Sequence, residues 1–473
     1  MTICPATPSP STNNCTPPAL DALVTFIEAL GQGGSPCSDI DELELHLREL
    51  TMSVETEVVA RELAKFDVDC PTILVAGVVH RRVMQSETTY HASCGDVRVA
   101  RTLYRSRPDQ PCVAPVELRA GIVAGRWTPT AARQATWAVA HLTPQDAANM
   151  FEMVGCMVPS KSSLDRLPKA VSEQWEEHRE AFDESLREQA TIPVDAVSVG
   201  ISLDGVMVPM KDGQRTEKRA ATVRRGKKPC GPAGYKEASC ATLSFYDREG
   251  IRLDTWRQAR MPQKGKVDLK AWLAAETGFV LGLRPDLQLM KVSDGARDNW
   301  TFLDGDTIPA GESAIDFFHA AGHLSEAMAA AYGEGSPRYH ARFQKLRRIL
   351  LEDDDGVEKV IRALRHLHAR FPRRQRITKE LAYFRRYRHK MRYAKLAAQN
   401  LPIGSGVVEA ACKTLVTERM KRSGMRWRLI GGQAILTFRA LAQSGRFNRG
   451  WSMLTRSYEQ TVEIPDEHGL MAA

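Results

Sequence analysis

The sequence predicts an α/β core that carries an all-α insertion and follows a mainly helical N-terminal region with a small β-hairpin. Three observations support this fold class. The apolar residues of 191–319 alternate between the period of strands and that of helices. Those of 320–400 keep the helical period, and those of 19–112 include one Val-rich, strand-like patch. At 473 residues and 43% hydrophobic content, the chain can bury several cores, which excludes a small binding module.

The N-terminal region divides into three parts. Residues 1–18 are rich in Pro, Ser and Thr and are predicted to be disordered. Residues 19–112 are predicted to form two helices and a hairpin, at 19–30, 40–66, 73–83 and 97–104. Residues 113–190 are predicted to contain a helix-turn-helix-like pair and a polar spacer helix at 169–189.

The second helix of this pair is predicted to begin after Ser160 as its N-cap and to end at Pro168. In one interpretation this helix enters a DNA major groove. Its candidate DNA contacts are then Lys161, Ser162 and Arg166. In the other interpretation, the two helices are an ordinary packed pair in an all-α region. The local pattern leaves both open.

The core predicted at 191–319 begins with a long strand at 197–208. The elements after it are a hairpin of 238–247 and 251–258, a helix at 267–277 that Gly278 stops, a strand at 287–292, a short helix at 297–303 and a strand at 314–318. This is the element order of an RNase H-like α/β domain. Residues 401–445 are predicted to supply the final helices of the core, and residues 446–473 a C-terminal tail.

The net charge of +8 is only mildly basic, but the cations are unevenly distributed. Residues 361–400, within the 320–400 insertion, carry thirteen Lys or Arg and one acidic residue, with aromatic residues between them. This pattern favours an interface with a phosphate backbone, and solvated helix faces are the alternative. The candidate DNA contacts in this half of the chain are Arg385, Arg386, Arg388, Lys413, Lys421 and Arg422.

Other classes of protein are disfavoured. The longest apolar run, 73–79, is too short to cross a bilayer, so a cytoplasmic protein that binds no membrane is expected. The ten cysteines include no CxxC pair, which argues against a disulfide framework or a zinc ribbon. A zinc site is conceivable at His80, His91, Cys94 and Cys112, but their spacings match no common zinc template.

Three acidic residues carry the predicted chemistry. Asp204 and Asp294 follow apolar, strand-like runs, and Glu409 lies one turn into a helix after Gly404-Ser405-Gly406. A fold that gathers them can hold two Mg²⁺ (or Mn²⁺) ions about 3.5–4 Å apart for phosphoryl transfer. Each residue also has an ordinary interpretation. An Asp-Gly pair is a hairpin-turn signal, and Glu409 with Lys413 matches a surface i,i+4 pair.

Asp316 and His319 place a carboxylate and an imidazole at the end of the last predicted strand. A histidine in this position is often a structural residue with satisfied hydrogen bonds. Beside a cluster of carboxylates, its ring can instead orient a metal ligand or contact DNA. We therefore expect both residues to lie near the site.

Three stretches resemble motifs of the ISKra-type bacterial insertion-sequence transposases. They are Leu203–Pro209, Asp316–Leu324 and Pro402–Arg439, the last of which includes Lys421-Arg-Ser-Gly-Met-Arg-Trp427. The resemblance spans roughly residues 70–450 and implies an RNase H-like core with a helical insertion before the final acidic residue.

The resemblance also implies roles for individual residues. Asp204, Asp294 and Glu409 would bind the metals of a DDE mechanism, while Asp316 and His319 match the C/D-x-x-H signature of related transposases. The implied protein binds double-stranded DNA, both terminal inverted repeats and target, as a homo-oligomer, and it cleaves and joins DNA strands in the bacterial cytoplasm or nucleoid. Two alternatives are an RNase H-like nuclease that only hydrolyses and a catalytically silent DNA-binding repressor derived from a transposase. The three intact acidic residues argue against the repressor.

Overall fold

The protein is a mixed α/β chain with two sheets. The computed structural model describes residues 18–33, 37–211, 215–228 and 234–465. The disorder predicted for residues 1–18 therefore falls almost entirely outside the described residues. The chain divides into two compact units, residues 1–171 with 451–473 and residues 172–450.

Helices and strands follow one another along the described residues in this order. The helices are α1 (Pro18–Gly31), α2 (Ile40–Ala64), α3 (Pro115–Arg119), α4 (Pro129–His141), α5 (Pro144–Val154), α6 (Lys161–Glu177), α7 (Arg179–Glu188), α8 (Arg215–Arg224), α9 (Val267–Leu283), α10 (Arg297–Leu303), α11 (Phe317–Tyr332), α12 (Pro337–Glu352), α13 (Gly356–Arg370), α14 (Gln375–Tyr387), α15 (Tyr393–Ala397), α16 (Gly406–Ala411), α17 (Glu418–Met420), α18 (Leu429–Gln443) and α19 (Phe447–Arg456). The strands are β1 (Thr72–Val75), β2 (Val78–Ala92), β3 (Gly95–Arg105), β4 (Ser198–Pro209), β5 (Tyr235–Tyr246), β6 (Arg252–Arg260), β7 (Gln288–Ser293), β8 (Glu312–Ile315) and β9 (Val462–Glu463).

The first unit contains an antiparallel sheet in the order β3-β2-β1-β9. The strand predicted at 73–83 is in fact two strands, because the chain reverses at Ala76-Gly77, where both residues have positive φ. Apolar residues of β2 and β3, including Tyr90 and Val97, pack against Leu63 of α2.

Two predicted helix ends were wrong. Pro168 does not end the helix that begins at Lys161, since α6 continues to Glu177. Leu164, Val171 and Trp175 are all buried along one stripe of α6, and this packing outweighs the cost of the proline. In the same way, α9 continues through Gly278 to Leu283, because a glycine weakens a helix by only about 1 kcal/mol.

The second unit contains a five-stranded sheet in the order β6-β5-β4-β7-β8. β4 pairs antiparallel with β5 and parallel with β7, and β7 pairs parallel with β8. One face of the sheet packs against α9 and against helices between α10 and α15, and the other packs against α16 and α18. The last strand ends at Ile315 rather than at the predicted 318, because Asp316 caps α11.

The segment between β8 and α16 contains helices α11 to α15 and no strand in these described residues. Its helix ends fall at the breaks that Gly333–Pro337, Asp353–Gly356 and Pro372 predict. None of the helices in the described ranges is long and apolar enough to span a membrane.

Candidate active site

Asp204 lies inside β4 and not in a turn. The strand continues through Gly205 to Pro209 and pairs with β5 residue by residue, so the hairpin-turn interpretation of Asp204-Gly205 is wrong. Successive side chains of a strand point to opposite faces. Leu203 is part of the core on one face, while Asp204 lies on the face that α16 covers.

The parallel strands β4 and β7 separate just before this point. Their main-chain pairing runs from Ser198 only to Ile201 on β4. Beyond Ile201, hydrogen bonds from side chains join the two strands. Ser202 Oγ donates to the Val292 carbonyl at 2.7 Å, and Ser293 Oγ donates to the Leu203 carbonyl at 3.2 Å. These bonds lie toward the carboxyl ends of two parallel strands, the place where α/β sheets bind ligands.

Asp294 follows β7 directly, in the loop that leads to α10. Its Oδ1 accepts a hydrogen bond from the main-chain N–H of Ala296 at 3.0 Å and one from Asn299 Nδ2 at 3.4 Å. Its carbonyl accepts from Trp300 Nε1 at 2.6 Å. These contacts fix the Asp294 loop through Oδ1 and the main chain.

Glu409 projects from the short helix α16. Its Oε1 accepts a hydrogen bond from Ser405 Oγ at 3.0 Å and lies 3.9 Å from His319 Nδ1. These are its contacts among the described residues, which do not support the surface pair with Lys413. The helix changes to a π turn at Cys412–Thr417, a distortion that is frequent at functional sites.

Asp316 is fully buried at the N-terminus of α11. Its Oδ1 accepts the main-chain N–H of His319 at 2.6 Å, and its Oδ2 accepts the main-chain N–H of Ser405. Burial alone would raise the pKa of Asp316, but the hydrogen bonds from His319 and Ser405 outweigh it and lower that pKa. Asp316 is thus a carboxylate that joins α11 to the segment before α16.

His319 connects Asp316 to Glu409. Its Nδ1 lies 3.5 Å from Asp316 Oδ1. The hydrogen bond with Asp316 raises the pKa of His319, and the nearby charges of Asp294 and Glu409 add to the rise. One ligand atom each from Asp316, His319 and Glu409 lies within 4.8 Å of the others, and in the described part of the chain no other set of three such groups comes as close.

Asp204 belongs to the same site. Burial raises the pKa of Asp204, and the negative charges of Asp294 and Glu409 raise it further. The charges of Asp294 and Glu409 therefore act on Asp204, but in the described part of the chain the ligand atoms that lie within 4.8 Å of one another are those of Asp316, His319 and Glu409. That Asp204, Asp294 and Glu409 bind metal together stays a prediction. Oxygen ligands with one imidazole suit Mg²⁺ or Mn²⁺ better than softer metals, so this donor set fits the predicted ions.

Sequence reasoning missed the contribution of α14 to this site. Tyr387 Oη donates to the Gly295 carbonyl at 2.8 Å. The Tyr383 ring covers Gly295, where an added Cβ would lie 2.7 Å from its Cε2. His323 stacks on Tyr383 with ring centroids 3.7 Å apart, and His323 Nδ1 lies 2.6 Å from Glu380 Oε2. No local sequence pattern identifies these residues as part of the site, because only the folding of the chain brings them to it.

Two cysteines lie behind Asp204. Cys240 is its direct partner on β5, and Cys412 follows Glu409 by one turn. Both are buried in the same apolar cluster. A hydrogen bond with Cys240, together with burial, raises the pKa of the Cys412 thiol. This side of Asp204 is closed by the two cysteine side chains, so a metal would have to bind from another side.

The predicted DNA-binding residues are placed at the surface of two different units. Lys161, Ser162 and Arg166 are exposed on α6. The others are exposed on α14, on the turn after it, on the π turn and after α17: Arg385, Arg386, Arg388, Lys413, Lys421 and Arg422. The zinc site considered for the N-terminal region is not formed by the described residues, since His91 Nδ1 instead lies 2.7 Å from Asp96.

No family model matches this chain, and no curated protein matches it either. Among solved structures, the chain is similar to the Drosophila P element transposase strand transfer complex. The two are 10% identical, the similarity covers 70% of this chain and 81% of that chain, and the TM-score is 0.24. A TM-score this low carries no argument about function, which must come from the residues of the site.

Proposed function

We propose that this protein is a DDE transposase in which Asp204, Asp294 and Glu409 hold two divalent metal ions at a DNA phosphodiester. The observation that carries this proposal is the cluster of Asp316, His319 and Glu409, which lies near Asp204 at the point where β4 and β7 separate. The strand order β6-β5-β4-β7-β8, followed by a helical segment before α16, supports an RNase H-like core with an insertion.

The site has the properties that such chemistry needs. Bound Mg²⁺ or Mn²⁺ would activate a water or a DNA 3′-hydroxyl and neutralise the charge that develops on the phosphate. Burial, with repulsion from Asp294 and Glu409 added to it, raises the pKa of Asp204, and a bound cation would relieve that repulsion. The Asp316 carboxylate favours a protonated His319, which can donate to a phosphate oxygen.

The helical segment supplies the electrostatic surface for DNA. Arg385, Arg386 and Arg388 are exposed on α14 and the turn that follows it. Tyr383 and Tyr387 of the same helix contact Gly295, next to Asp294. DNA held by the cations of α14 would therefore be held close to the carboxylates.

The test uses the full chain with labelled duplexes that carry the sequences flanking its gene, including any short inverted repeats there. With Mg²⁺ or Mn²⁺ we expect nicks at one position of the repeat and joining of the cleaved strand to a second duplex. Asp204→Asn should abolish cleavage and leave repeat binding intact. The matched control is Asp306→Asn, at an exposed position. Equal loss of binding and cleavage in Asp204→Asn would indicate a folding role.

Other results would overturn the proposal in distinguishable ways. Cleavage without joining would favour the RNase H-like nuclease. Specific binding with no cleavage in either metal would favour the repressor. A protein that neither binds nor cleaves DNA would exclude all three functions.

A further inference from the structure

Phe318 is an exposed aromatic residue inside the candidate active site. It lies between Asp316 and His319 in the sequence, and 64% of it is exposed. The preceding residue, Phe317, is buried and packs against Tyr393 with ring centroids 5.1 Å apart. The two phenylalanines thus differ in burial: Phe317 is part of the core, whereas Phe318 is open to solvent.

The position of Phe318 is well defined although its ring is open to solvent. Phe317 donates its main-chain N–H to the Ile403 carbonyl at 2.9 Å, which anchors the first turn of α11. The Phe318 ring lies edge-on to Phe317 at 5.7 Å and rests on Gly404, where an added Cβ would be 3.2 Å from Phe318 Cε2. A ring presented in this way by two anchored segments keeps its orientation when a ligand arrives.

The surroundings of Phe318 restrict what can cover it. The side chains of His319 and Glu409 beside it are 47% and 48% exposed, so the rim of this small apolar surface is polar and charged. An apolar protein segment would have to desolvate these groups. A nucleobase is flat and apolar on its faces, and it is joined to a phosphate that the metal site would bind.

We propose that Phe318 stacks on a nucleobase next to the scissile phosphodiester and holds that base out of the duplex stack. This inference rests on the proposed function and extends it to the state of the substrate at the moment of cleavage. Aromatic side chains stack on bases in a sequence-tolerant manner, and apolar wedges unstack base steps. Phe318 would therefore select a distorted or frayed DNA end rather than a particular base.

The test places 2-aminopurine at the base next to the cleaved phosphodiester. The full-length Asp204→Asn protein, which should bind without cutting, is mixed with this duplex and Mg²⁺. We expect a several-fold change in 2-aminopurine fluorescence on binding. This change should be lost when the Phe318→Ala substitution is combined with Asp204→Asn in the same protein. Phe318→Trp should keep the change, and Phe318→Leu, which is apolar but has no ring, should lose it.

Cleavage by the single variants provides the second measurement. In the otherwise unchanged protein, Phe318→Ala and Phe318→Leu should slow cleavage by about 5- to 150-fold, the range that one base–aromatic stack supplies, whereas Phe318→Trp should retain it. Ile251→Ala is the control, because Ile251 is 63% exposed in the turn between β5 and β6, which lies beside the start of β4 and not beside Asp204. Thermal unfolding of each variant verifies that it is folded.

The outcomes separate this inference from the proposed function. Unchanged fluorescence and cleavage in Phe318→Ala would overturn the stacking role and leave the transposase proposal intact. Wild-type behaviour of Phe318→Leu would also overturn stacking, since it would show that any apolar contact suffices. Absence of DNA binding and cleavage in the unmodified protein would instead overturn the proposed function.

Discussion

His319 Nδ1 lies 3.5 Å from Asp316 Oδ1, across the first turn of α11. Because Asp316 is buried and already accepts two main-chain N–H groups, it orients the imidazole without being free to move. The same ring nitrogen of His319 lies 3.9 Å from Glu409 Oε1. The pair is therefore suited to position a metal ligand or a phosphate.

We predict that His319→Ala lowers the rate of cleavage by about 10- to 100-fold at limiting Mg²⁺, the usual effect of removing a group that supports a metal site. Cleavage measured across a Mg²⁺ titration tests this. A shift in the Mg²⁺ requirement indicates support of the metal, and a uniform loss at all concentrations indicates a contact with DNA. His340→Ala, at an exposed position of α12, should have no effect. Wild-type cleavage by His319→Ala would contradict the prediction.

The Tyr383 ring should matter for the site, but its hydroxyl should not. The hydroxyl is buried and has no hydrogen-bond partner in the described structure, whereas the ring covers Gly295. We predict that Tyr383→Phe leaves stability unchanged or slightly increased, because it removes an unsatisfied polar group. Tyr383→Ala should lose up to about 3 kcal/mol of stability and reduce cleavage, since the loop of Asp294 loses its cover.

Gly295→Ala provides an independent test of this packing. Its Cβ would lie 2.7 Å from Tyr383 Cε2, so the variant should also reduce cleavage by displacing the Asp294 loop. Stability and cleavage of Gly295→Ala, Tyr383→Ala and the double variant form a double-mutant cycle. A double variant less impaired than Gly295→Ala alone supports the packing of the ring on Gly295, while strictly additive losses would contradict it.

The cations of α14 should bind DNA through phosphates. We predict that replacing Arg385, Arg386 and Arg388 with Ala weakens binding to all sequences alike, because phosphates carry no base identity. The slope of log K against log salt should fall by about 0.9 for each phosphate that the variant no longer neutralises. Binding titrations at several salt concentrations measure this. The control is the replacement of Arg342, Lys345 and Arg348 of α12 with Ala, which removes the same charge from another exposed surface. An unchanged slope for the variant of Arg385, Arg386 and Arg388 would indicate a solvated surface.

Sequence recognition is predicted to lie on α6. Ser162 and Arg166 are exposed at its start, where a groove-entering helix contacts bases. Changing either to Ala should cost about 1–3 kcal/mol at particular base pairs of the repeat. The full chain must be used, because residues 451–473 belong to the same compact unit as residues 1–171. Competition with scrambled repeats measures the preference, and Glu173→Ala is the control; equal weakening on all sequences would refute the assignment.

Asp183 should make the protein less stable as the pH rises. Burial raises the pKa of Asp183 to about 6, and Glu276 adds to the rise against the opposing charge of Arg260. The folded state therefore binds a proton that the unfolded state, with a pKa of about 3.9, has released. Stability attributable to this proton is present below about pH 4 and is lost as the pH rises to about 6.

We predict that Asp183→Asn raises the free energy of unfolding at pH 7 by about 1–3 kcal/mol, with less effect at pH 4. The lower part of this range is expected, because solvent reaches part of the side chain. Thermal unfolding across pH 4 to 8 measures it. Asp286→Asn is the control with the opposite sign, since the hydrogen bond with Arg284 lowers the pKa of that exposed carboxyl. A flat difference between Asp183→Asn and the unmodified protein across pH would contradict the assignment.

The sequence by itself determined the local elements that position the site. The alternating apolar residues of β4, the strand before Asp294 and the helix that begins at Gly406 all lie close to their predicted positions. Hydrophobic period and capping depend on neighbours a few residues apart, so they can be read without the fold. The same reasoning failed at Pro168 and Gly278, where burial of a whole helix face outweighs a local breaker.

Only the tertiary structure decided which side chains meet. That Asp204 lies in mid-strand, where β4 and β7 separate, follows from pairing between residues distant in sequence. That α14 covers Gly295 with Tyr383, and that Phe318 remains exposed while Phe317 is buried, follows from how helices pack on the sheet. Packing is a sum of many weak contacts between segments far apart along the chain, so no local pattern specifies it.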